Sequence, residues 1–132
     1  MTNAYLDLDN FKWVNDNHGH SVGDTLLINI ARNAKSNLRI SDFFARLGGD
    51  EFAVLLPDTD EKSARIALHK LQGKLLEEMN KHNWPVTFSI GTVTCHDIPK
   101  SVDELIKQAD NLMYSVKNHG KNSIEFSIYR ST

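Results

Sequence analysis

The stretch Phe43-Phe-Ala-Arg-Leu-Gly-Gly-Asp-Glu-Phe-Ala-Val-Leu-Leu56 organises the rest of the chain. Two short runs of strand-forming residues, 43–47 and 52–56, flank Gly48-Gly49. A glycine pair supplies the positive φ angles that a tight hairpin turn requires. The pattern therefore predicts a hairpin of two buried strands with a polar tip.

The predicted tip carries two adjacent carboxylates, Asp50 and Glu51. Repulsion and desolvation oppose their ionisation unless a cation or a hydrogen-bond donor compensates, which favours a metal site. Asp and Glu beside Gly-Gly are also ordinary residues of a solvated turn, and the short sequence alone favours that second interpretation. The choice depends on what the rest of the chain brings to the tip.

Composition bounds the class of protein. The chain has 132 residues, of which 40% are hydrophobic and 24% charged, and this suits one globular domain. A formal net charge of −2 argues against a nucleic-acid binder that neutralises phosphates. The lone Cys95 excludes an internal disulfide, and we interpret it as strand packing in a reducing compartment. Neither a membrane helix nor a signal peptide is evident, so we expect a cytoplasmic segment without membrane contact.

The order of periodic segments predicts the fold class. Strands are expected at 3–8, 43–47, 52–56, 86–94 and 123–129, and helices from about 10 to 17, 25 to 38, 58 to 80 and 101 to 117. Capping boxes at Asp58/Glu61 and Ser101/Glu104 open the last two helices. This order predicts an α+β fold: a ferredoxin-like or palm βαββαβ core with an extra helix and strand, and a mostly antiparallel sheet covered by helices.

In that arrangement the first strand commonly lies beside the hairpin, which would bring Asp7 toward Asp50 and Glu51. Three carboxylates around one pocket suit a pair of Mg²⁺ ions and a triphosphate, because hard cations take oxygen ligands. There are simpler alternatives: Asp7 is an ordinary polar residue at the end of a strand, and Asp9 or Asn10 caps the following helix. The start of the following helix also offers backbone N–H groups to phosphates.

Residues 15–24 are interpreted as a polar loop between two helices. His18 and His20 form a pair that can ligate a metal, but without further His or Cys ligands nearby a zinc site is disfavoured. Asp24 has two interpretations: it caps the second helix, or it joins Asn15 in recognising a purine edge.

Two further groups of charges have simple interpretations when taken alone. Arg39 and Asp42, spaced three apart before the hairpin, fit a solvated ion pair. Lys117 and Lys121 flank the turn after the last long helix and fit surface lysines. Neither group by itself requires a ligand.

Taken together, the ordered motifs closely resemble the GGDEF family, the diguanylate cyclase domains that condense two GTP molecules into cyclic di-GMP. The motifs cover essentially the whole chain and are far more specific than the five-letter signature. They are Asp7-Leu-Asp-x-Phe-Lys12, Asn15-Asp-x-x-Gly-His20-x-x-Gly-Asp24, Arg39-x-x-Asp42, Ala45-Arg-Leu-Gly-Gly-Asp-Glu-Phe52, Ser89-Ile-Gly91, Ala109-Asp-x-x-Met-Tyr114 and Lys117-x-x-Gly-Lys-Asn122.

The resemblance implies a metal-dependent active site at the hairpin tip. Asp7 and Glu51 would be the side-chain ligands of Mg²⁺ or Mn²⁺, two ions per site, and the Leu8 carbonyl would be a further ligand. Asp50 would help to deprotonate the attacking ribose hydroxyl. These roles follow from the family and not from spacing.

The resemblance also implies the nucleotide contacts. Asn15 and Asp24 would recognise guanine. Lys121 stands where an arginine is common in the family. A lysine ammonium group is a point charge and cannot make the two parallel hydrogen bonds that an arginine guanidinium makes to a phosphate. The phosphates would be held by the backbone of Asn10, Phe11 and Lys12 and by the side chains of Lys117 and Lys121.

Regulation and assembly are implied in the same way. Arg39 and Asp42 match the family's inhibitory RxxD site for cyclic di-GMP, and catalysis would require a two-fold homodimer with one GTP per domain. We expect residues 1–132 to be a single GGDEF domain, excised from the C-terminal part of a longer protein and lacking its N-terminal segment and sensor domain.

Two alternatives remain at this point. A non-catalytic regulatory module would bind GTP or cyclic di-GMP, but its expected mark is a degraded tip, and Asp50 and Glu51 are intact. A nucleotidyl cyclase or polymerase-palm relative would use another nucleotide with the same fold and the same kind of metal-binding carboxylates. Asn15 and Asp24 favour guanine over that third possibility.

Overall fold

The computed structural model describes residues 1–97 and 101–129, which form an α+β domain. The predicted fold class is confirmed. The elements in chain order are β1 (Thr2–Asp9), α1 (Phe11–His18), α2 (His20–Ser36), β2 (Phe43–Gly48), β3 (Glu51–Leu56), α3 (Glu61–Lys81), β4 (Thr87–Cys95), α4 (Val102–Asn118) and β5 (Ile124–Tyr129).

The five strands form one sheet in the order β2-β3-β1-β4-β5. β1 is central and pairs antiparallel with both β3 and β4, whereas β4 and β5 pair in parallel. Without α1, α4 and β5 the connectivity is that of the expected βαββαβ core, so the chain adds two helices and one strand to that core. The sheet is mixed, and most of its pairs are antiparallel.

Strand β1 separates two packed layers. Side chains alternate along a strand, so Ala4, Leu6 and Leu8 point to one face and join the core formed with α2 and α3. Tyr5 points to the other face and packs against a smaller cluster that includes Leu105 of α4. Asp7 and Asp9 lie on this second face, toward α4. In the part of the chain described, none of the helices has the length and apolarity to cross a membrane.

The expected burial of both hairpin strands is wrong for β2. Strand β3 alternates between buried and half-buried positions, with Phe52, Val54 and Leu56 in the core. Strand β2 is mostly exposed, and Phe43 retains 60% of its accessible surface. The reason is topological: β2 is an edge strand with β3 as its single neighbour.

The loop predicted for residues 15–24 is also wrong. Helix α2 begins at His20, five positions earlier than expected, and Gly19 alone separates it from α1. Gly19 has φ 89°, which reverses the chain within one residue. Asp24 therefore lies inside α2 and does not cap it.

Of the two caps predicted for α3 and α4, one differs in the structure and the other is confirmed. Asp60, not Asp58, caps α3 and accepts a hydrogen bond from the Ser63 N–H at 2.8 Å. Asp58 instead takes a left-handed conformation with φ 50°. Ser101 caps α4 as expected, accepting from the Glu104 N–H at 3.1 Å.

Helix α1 has no side-chain cap, so capping by Asp9 or Asn10 is wrong. Asn10 precedes the helix at φ 68°, and its side-chain amide donates to the Pro85 carbonyl at 3.2 Å. Asp9 points instead into the interior, where it has four other partners. Among residues 1–97 and 101–129, no side chain therefore caps the first N–H groups of α1.

Candidate functional site

The end of β1 meets the tip of the β2–β3 hairpin. In the antiparallel register Asp7 lies opposite Glu51, and the Leu8 N–H donates to the Asp50 carbonyl at 3.1 Å. Gly49, at φ 52°, makes the turn between the two strands. The expectation that the first strand brings its acidic end to the tip is therefore confirmed.

Asp7 is a buried carboxylate whose negative charge is only partly stabilised by nearby cations and hydrogen-bond donors. It is 9% exposed, and its Oδ1 atom has no hydrogen-bond partner among the described residues. Burial raises the pKa of Asp7 most, and the charge of Asp50 raises it further. Lys117 opposes these effects, Glu51 adds to them, and the resulting pKa is about 7. This environment favours either a proton or a cation on Asp7.

Asp9 has the opposite environment. It is fully buried, yet it accepts hydrogen bonds from the Thr87 and Ser89 hydroxyls at 2.7 Å and from the Asn122 N–H at 3.1 Å. Burial raises the pKa of Asp9, but hydrogen bonds from Thr87, Lys117 and Ser89 outweigh it and the pKa is lowered. Asp9 thus ties β1, β4 and the α4–β5 turn together as an ionised carboxylate.

Lys117 of α4 is the cation at the acidic end of β1. Its Nζ atom donates to the Leu8 carbonyl at 2.9 Å and lies 2.9 Å from Asp9 Oδ1 and 3.6 Å from Asp7 Oδ1. Lys121 lies in the turn that follows, at φ 63°, and its side chain makes no polar contact with any described residue. The structure therefore brings Lys117, but not Lys121, into contact with the acidic end of β1.

The oxygen donors at this end of the sheet suit a hard cation. Asp7 Oδ1 accepts no hydrogen bond from the described residues and has only Lys117, at 3.6 Å, as a counter-charge. Glu51 lies opposite Asp7 in the strand register, and the Leu8 carbonyl follows it in β1. Within residues 1–97 and 101–129, no three His, Cys, Asp or Glu side chains converge as a preformed metal cluster. A bound ion would therefore have to complete its coordination with backbone and ligand oxygens.

The structure places His18 at the end of α1 and His20 at the start of α2. Both side chains are exposed, and the His18 ring makes an edge contact with Trp13 at 5.5 Å between ring centroids. They sit at the junction of α1 and α2, on either side of Gly19.

Asn15 and Asp24 are brought to one place by the α1–α2 contact. The Asn15 side chain lies against Gly23 of α2, the residue before Asp24, so closely that a Cβ atom on Gly23 would be 1.9 Å from Asn15 Oδ1. Asp24 is exposed and opens into a cleft of about 410 Å³ between α2 and the hairpin. The cleft is lined by Asp24, Leu27, Ile28, Ala31, Arg46 and Phe52.

Arg39 and Asp42 form a second polar centre, on the α2–β2 connection. The Arg39 guanidinium donates twice to the Asp42 carboxylate, at 3.2 and 2.9 Å, and also to the Pro57 carbonyl and the Thr59 hydroxyl. The pair borders a cavity of about 340 Å³. Lys70 of α3 lines the same cavity, and no sequence motif pointed to it because it lies on an element distant in the chain from Arg39.

Comparison with known proteins agrees with this architecture. Residues 2–123 match the family model described as "Diguanylate cyclase, GGDEF domain". The biofilm architecture maintenance protein MbaA of Vibrio cholerae is 37% identical over 133 residues, covering 92% of this chain and 17% of MbaA. This chain thus spans about a sixth of that relative's length.

Two solved structures share the fold. The diguanylate cyclase SiaD of Pseudomonas aeruginosa, in complex with its activator SiaC, superposes with a TM-score of 0.84 at 32% identity, covering 96% of this chain and 49% of SiaD. A microbial GGDEF domain studied for its interaction with cyclic di-GMP superposes with a TM-score of 0.83 at 31% identity, covering 96% of this chain and 76% of that one.

These matches define first a class, the α+β domains with a five-stranded mixed sheet and four helices. Within that class the match is specific, since the family model covers nearly the whole chain. The chain belongs to the GGDEF family and is homologous to diguanylate cyclases.

Proposed function

We propose that this chain is a catalytically competent diguanylate cyclase domain, which joins two GTP molecules into cyclic di-GMP and releases two pyrophosphates. The observation that supports this most directly is the buried Asp7 Oδ1, which accepts no hydrogen bond from the described residues and lies opposite Glu51 at an intact hairpin tip. A protein that only binds nucleotide has no need for a carboxylate that destabilises its own ionised form. The homology supports the same conclusion.

Asp7, Glu51 and the Leu8 carbonyl would hold Mg²⁺ or Mn²⁺, two ions per site. The ions would supply charge neutralisation for the triphosphate. Lys117 donates to the Leu8 carbonyl in the structure, so this side chain would release that oxygen and turn to the phosphates. The N–H groups of Asn10, Phe11 and Lys12 at the start of α1, together with the Lys121 side chain, would complete the phosphate contacts.

Asp50 would accept the proton of the ribose 3′-hydroxyl. The 3′-oxygen of one GTP then forms a bond to the α-phosphorus of the other, and the bond from that phosphorus to the pyrophosphate oxygen breaks. Asn15 and Asp24 would select guanine, because the Asp24 carboxylate accepts from the ring N–H and the amino group, donors that adenine does not present together. Repetition of the step closes the ring.

Each domain would hold one GTP, so the reaction requires two domains that face each other across a two-fold axis. The domain would therefore act as a homodimer. We further propose that it is the C-terminal catalytic domain of a longer protein that contains a sensor domain. Coverage of 17% of MbaA is consistent with this architecture.

The experiment that tests the function is incubation with GTP and Mg²⁺ at several protein concentrations, with detection of cyclic di-GMP by mass spectrometry. Asp50→Ala/Glu51→Ala is the control, and we expect its rate to be lower by about 10³-fold or more. The specific activity of the wild type should fall on dilution, because only the dimer reacts. ATP in place of GTP should give no product.

Failure of this experiment would also be informative. A wild type that binds GTP or cyclic di-GMP without turnover would indicate a regulatory module. A wild type that binds neither would contradict the proposed pocket as a whole.

We also propose that cyclic di-GMP inhibits the domain at the Arg39–Asp42 centre. Arg39 is 58% exposed at its side chain, so its guanidinium can exchange internal acceptors for those of a ligand. Asp42 can accept guanine N–H donors. Lys70 would place a second cation in the same cavity, whose size of about 340 Å³ suits part of a dinucleotide.

Arg39→Ala is expected to weaken cyclic di-GMP binding by at least about tenfold in titration calorimetry, because a charge-assisted contact is lost. The substitution also leaves the Asp42 carboxylate, whose side chain is only 3% exposed, without its partner, so some loss of folding stability is expected and affinity is compared where the variant remains folded. Arg32→Ala, which removes an exposed guanidinium from α2, is the matched control and should bind like the wild type. An unchanged affinity in Arg39→Ala would rule this site out.

A further inference from the structure

We propose that Gly23 is a positioning residue for guanine recognition: the missing side chain lets the Asn15 carboxamide lie against α2 immediately beside Asp24. This inference rests on the proposed function, since it assigns a cause to the geometry of the guanine-recognising pair. It concerns a residue that touches neither the phosphates nor the reacting atoms.

The space around Gly23 is filled by Asn15. An ideal Cβ atom on Gly23 would lie 1.9 Å from Asn15 Oδ1, 3.0 Å from Asn15 Cγ and 3.4 Å from Phe11 Cζ. Real Cβ atoms essentially never approach another heavy atom within 3.0 Å. The carboxamide oxygen would have to move by about 1 Å to tolerate even a methyl group at this position.

The backbone gives no other reason for glycine here. Gly23 lies within α2 and has ordinary helical geometry, unlike Gly19 or Gly49, whose φ angles are positive. In a helix interior glycine is less favourable than alanine. Glycine therefore lowers the stability of α2 at this position, and the Asn15 side chain, which occupies the space of a Cβ atom, is the reason that a larger residue does not fit.

The position of the Asn15 carboxamide is set by packing, including its close approach to Gly23. The Asn15 carbonyl accepts the Gly19 N–H at 3.0 Å, but the Asn15 side chain makes no hydrogen bond to any residue that the structure describes. Its donors and acceptor are therefore available to a ligand. Its orientation depends on the close fit of α1 against α2 and not on a polar partner.

Displacement of this carboxamide should weaken binding more than it affects folding. A misplacement of about 1 Å in a recognition group can cost up to about 100-fold in productive binding or rate. Asp24 is adjacent in sequence but exposed, so it can keep its place on α2 when Asn15 moves. The expected defect is therefore a loss of guanine recognition in a folded protein.

Equilibrium binding of 3′-deoxy-GTP tests the inference, because this nucleotide lacks the attacking hydroxyl and cannot be turned over. Gly23→Ala should bind it about tenfold more weakly than the wild type, with a Tm that is equal or higher. Gly73→Ala in α3 is the matched control. It also replaces a helical glycine, but no atom lies within 4 Å of its Cβ position, and its affinity should be unchanged.

A double-mutant cycle with Asn15→Ala separates positioning from a general structural effect. Truncation of Asn15 frees the space for the new methyl group, so Asn15→Ala/Gly23→Ala should fold and should bind no more weakly than Asn15→Ala. This comparison still decides the matter if Gly23→Ala alone is unstable.

Two outcomes would overturn the inference. One is a folded Gly23→Ala that binds within twofold of the wild type; the other is a double variant that binds clearly more weakly than Asn15→Ala. A wild type that fails to bind 3′-deoxy-GTP in the presence of Mg²⁺ would instead contradict the proposed function, so the two failures are distinguishable.

Discussion

Asp7→Asn is expected to abolish cyclic di-GMP synthesis and, in the same protein, to raise the stability of the metal-free domain at pH 8. The loss of activity should be about 10³-fold or more, because a neutral amide is a poor ligand for a divalent cation. The gain in stability has a different cause: the amide removes an ionised carboxylate that is buried beside two other acids.

The pH dependence distinguishes these two effects. In the unfolded chain Asp7 ionises near 3.8, whereas in the folded domain its pKa is about 7. Between these values the folded state holds the extra proton, so the contribution of Asp7 to the free energy of unfolding decreases as the pH rises from about 4 to about 7. Asp7→Asn does not titrate, so it should be more stable than the wild type by about 1–2 kcal/mol at pH 8, and by much less at pH 5.

Urea unfolding in EDTA at pH 5 and pH 8 measures this difference. Glu77→Gln, which neutralises an exposed carboxylate of α3, is the control and should show no pH-dependent gain. Added Mg²⁺ with GTP should raise the Tm of the wild type and not that of Asp7→Asn. A variant that is less stable than the wild type at pH 8, or that still makes product, would contradict the role given to Asp7.

Asp9→Ala is expected to be the most destabilising substitution in the site, at about 3–5 kcal/mol. The carboxylate has no exposed surface and four partners. Its removal leaves the Lys117 ammonium, two hydroxyls and the Asn122 N–H without their buried acceptor. The α4–β5 turn would then lose its attachment to β1.

Chemical denaturation followed by tryptophan fluorescence would measure the loss in free energy of unfolding. Thr87→Val is the reference variant, because it shows the cost of losing a single hydrogen bond to Asp9. That variant keeps the shape of the side chain but removes one of the four contacts, so it should cost only about 1 kcal/mol. A loss below about 1 kcal/mol for Asp9→Ala would show that Asp9 does not organise this part of the fold. Activity in both variants should be read only under conditions where they remain folded.

The contrast between Asp7 and Asp9 shows the limits of the sequence. The two residues are separated by one position in the same strand, and the sequence suggested capping duty as the ordinary explanation for Asp9. The structure gives them opposite environments, because the hydrogen-bond donors to Asp9 come from residues 78 to 113 positions away. Spacing along one strand contains no information about those donors.

The predicted starts of α2 and α3 were wrong for a related reason. Apolar periodicity located α2, but its first turn is polar, and Gly19 allowed the helix to begin at His20 without a loop. The same error made capping one of the two interpretations of Asp24, and its position inside α2 excludes that one. At α3 the choice between Asp58 and Asp60 depended on which backbone adopts the left-handed conformation, and both residues are good caps.

The class of fold, the hairpin with its acidic tip and the approach of Asp7 to that tip could all be predicted from the sequence. These follow from local propensities and from the few ways in which a βαββαβ chain can pack. Four features could be seen only in the folded protein. They are the exposure of β2, the four contacts that Asp9 makes, the hydrogen bond from Lys117 to the Leu8 carbonyl, and the close fit of Asn15 on Gly23. Each of these is a contact between elements distant in sequence or set by packing, and its energy depends on geometry that forms only when the whole sheet and its helices are assembled.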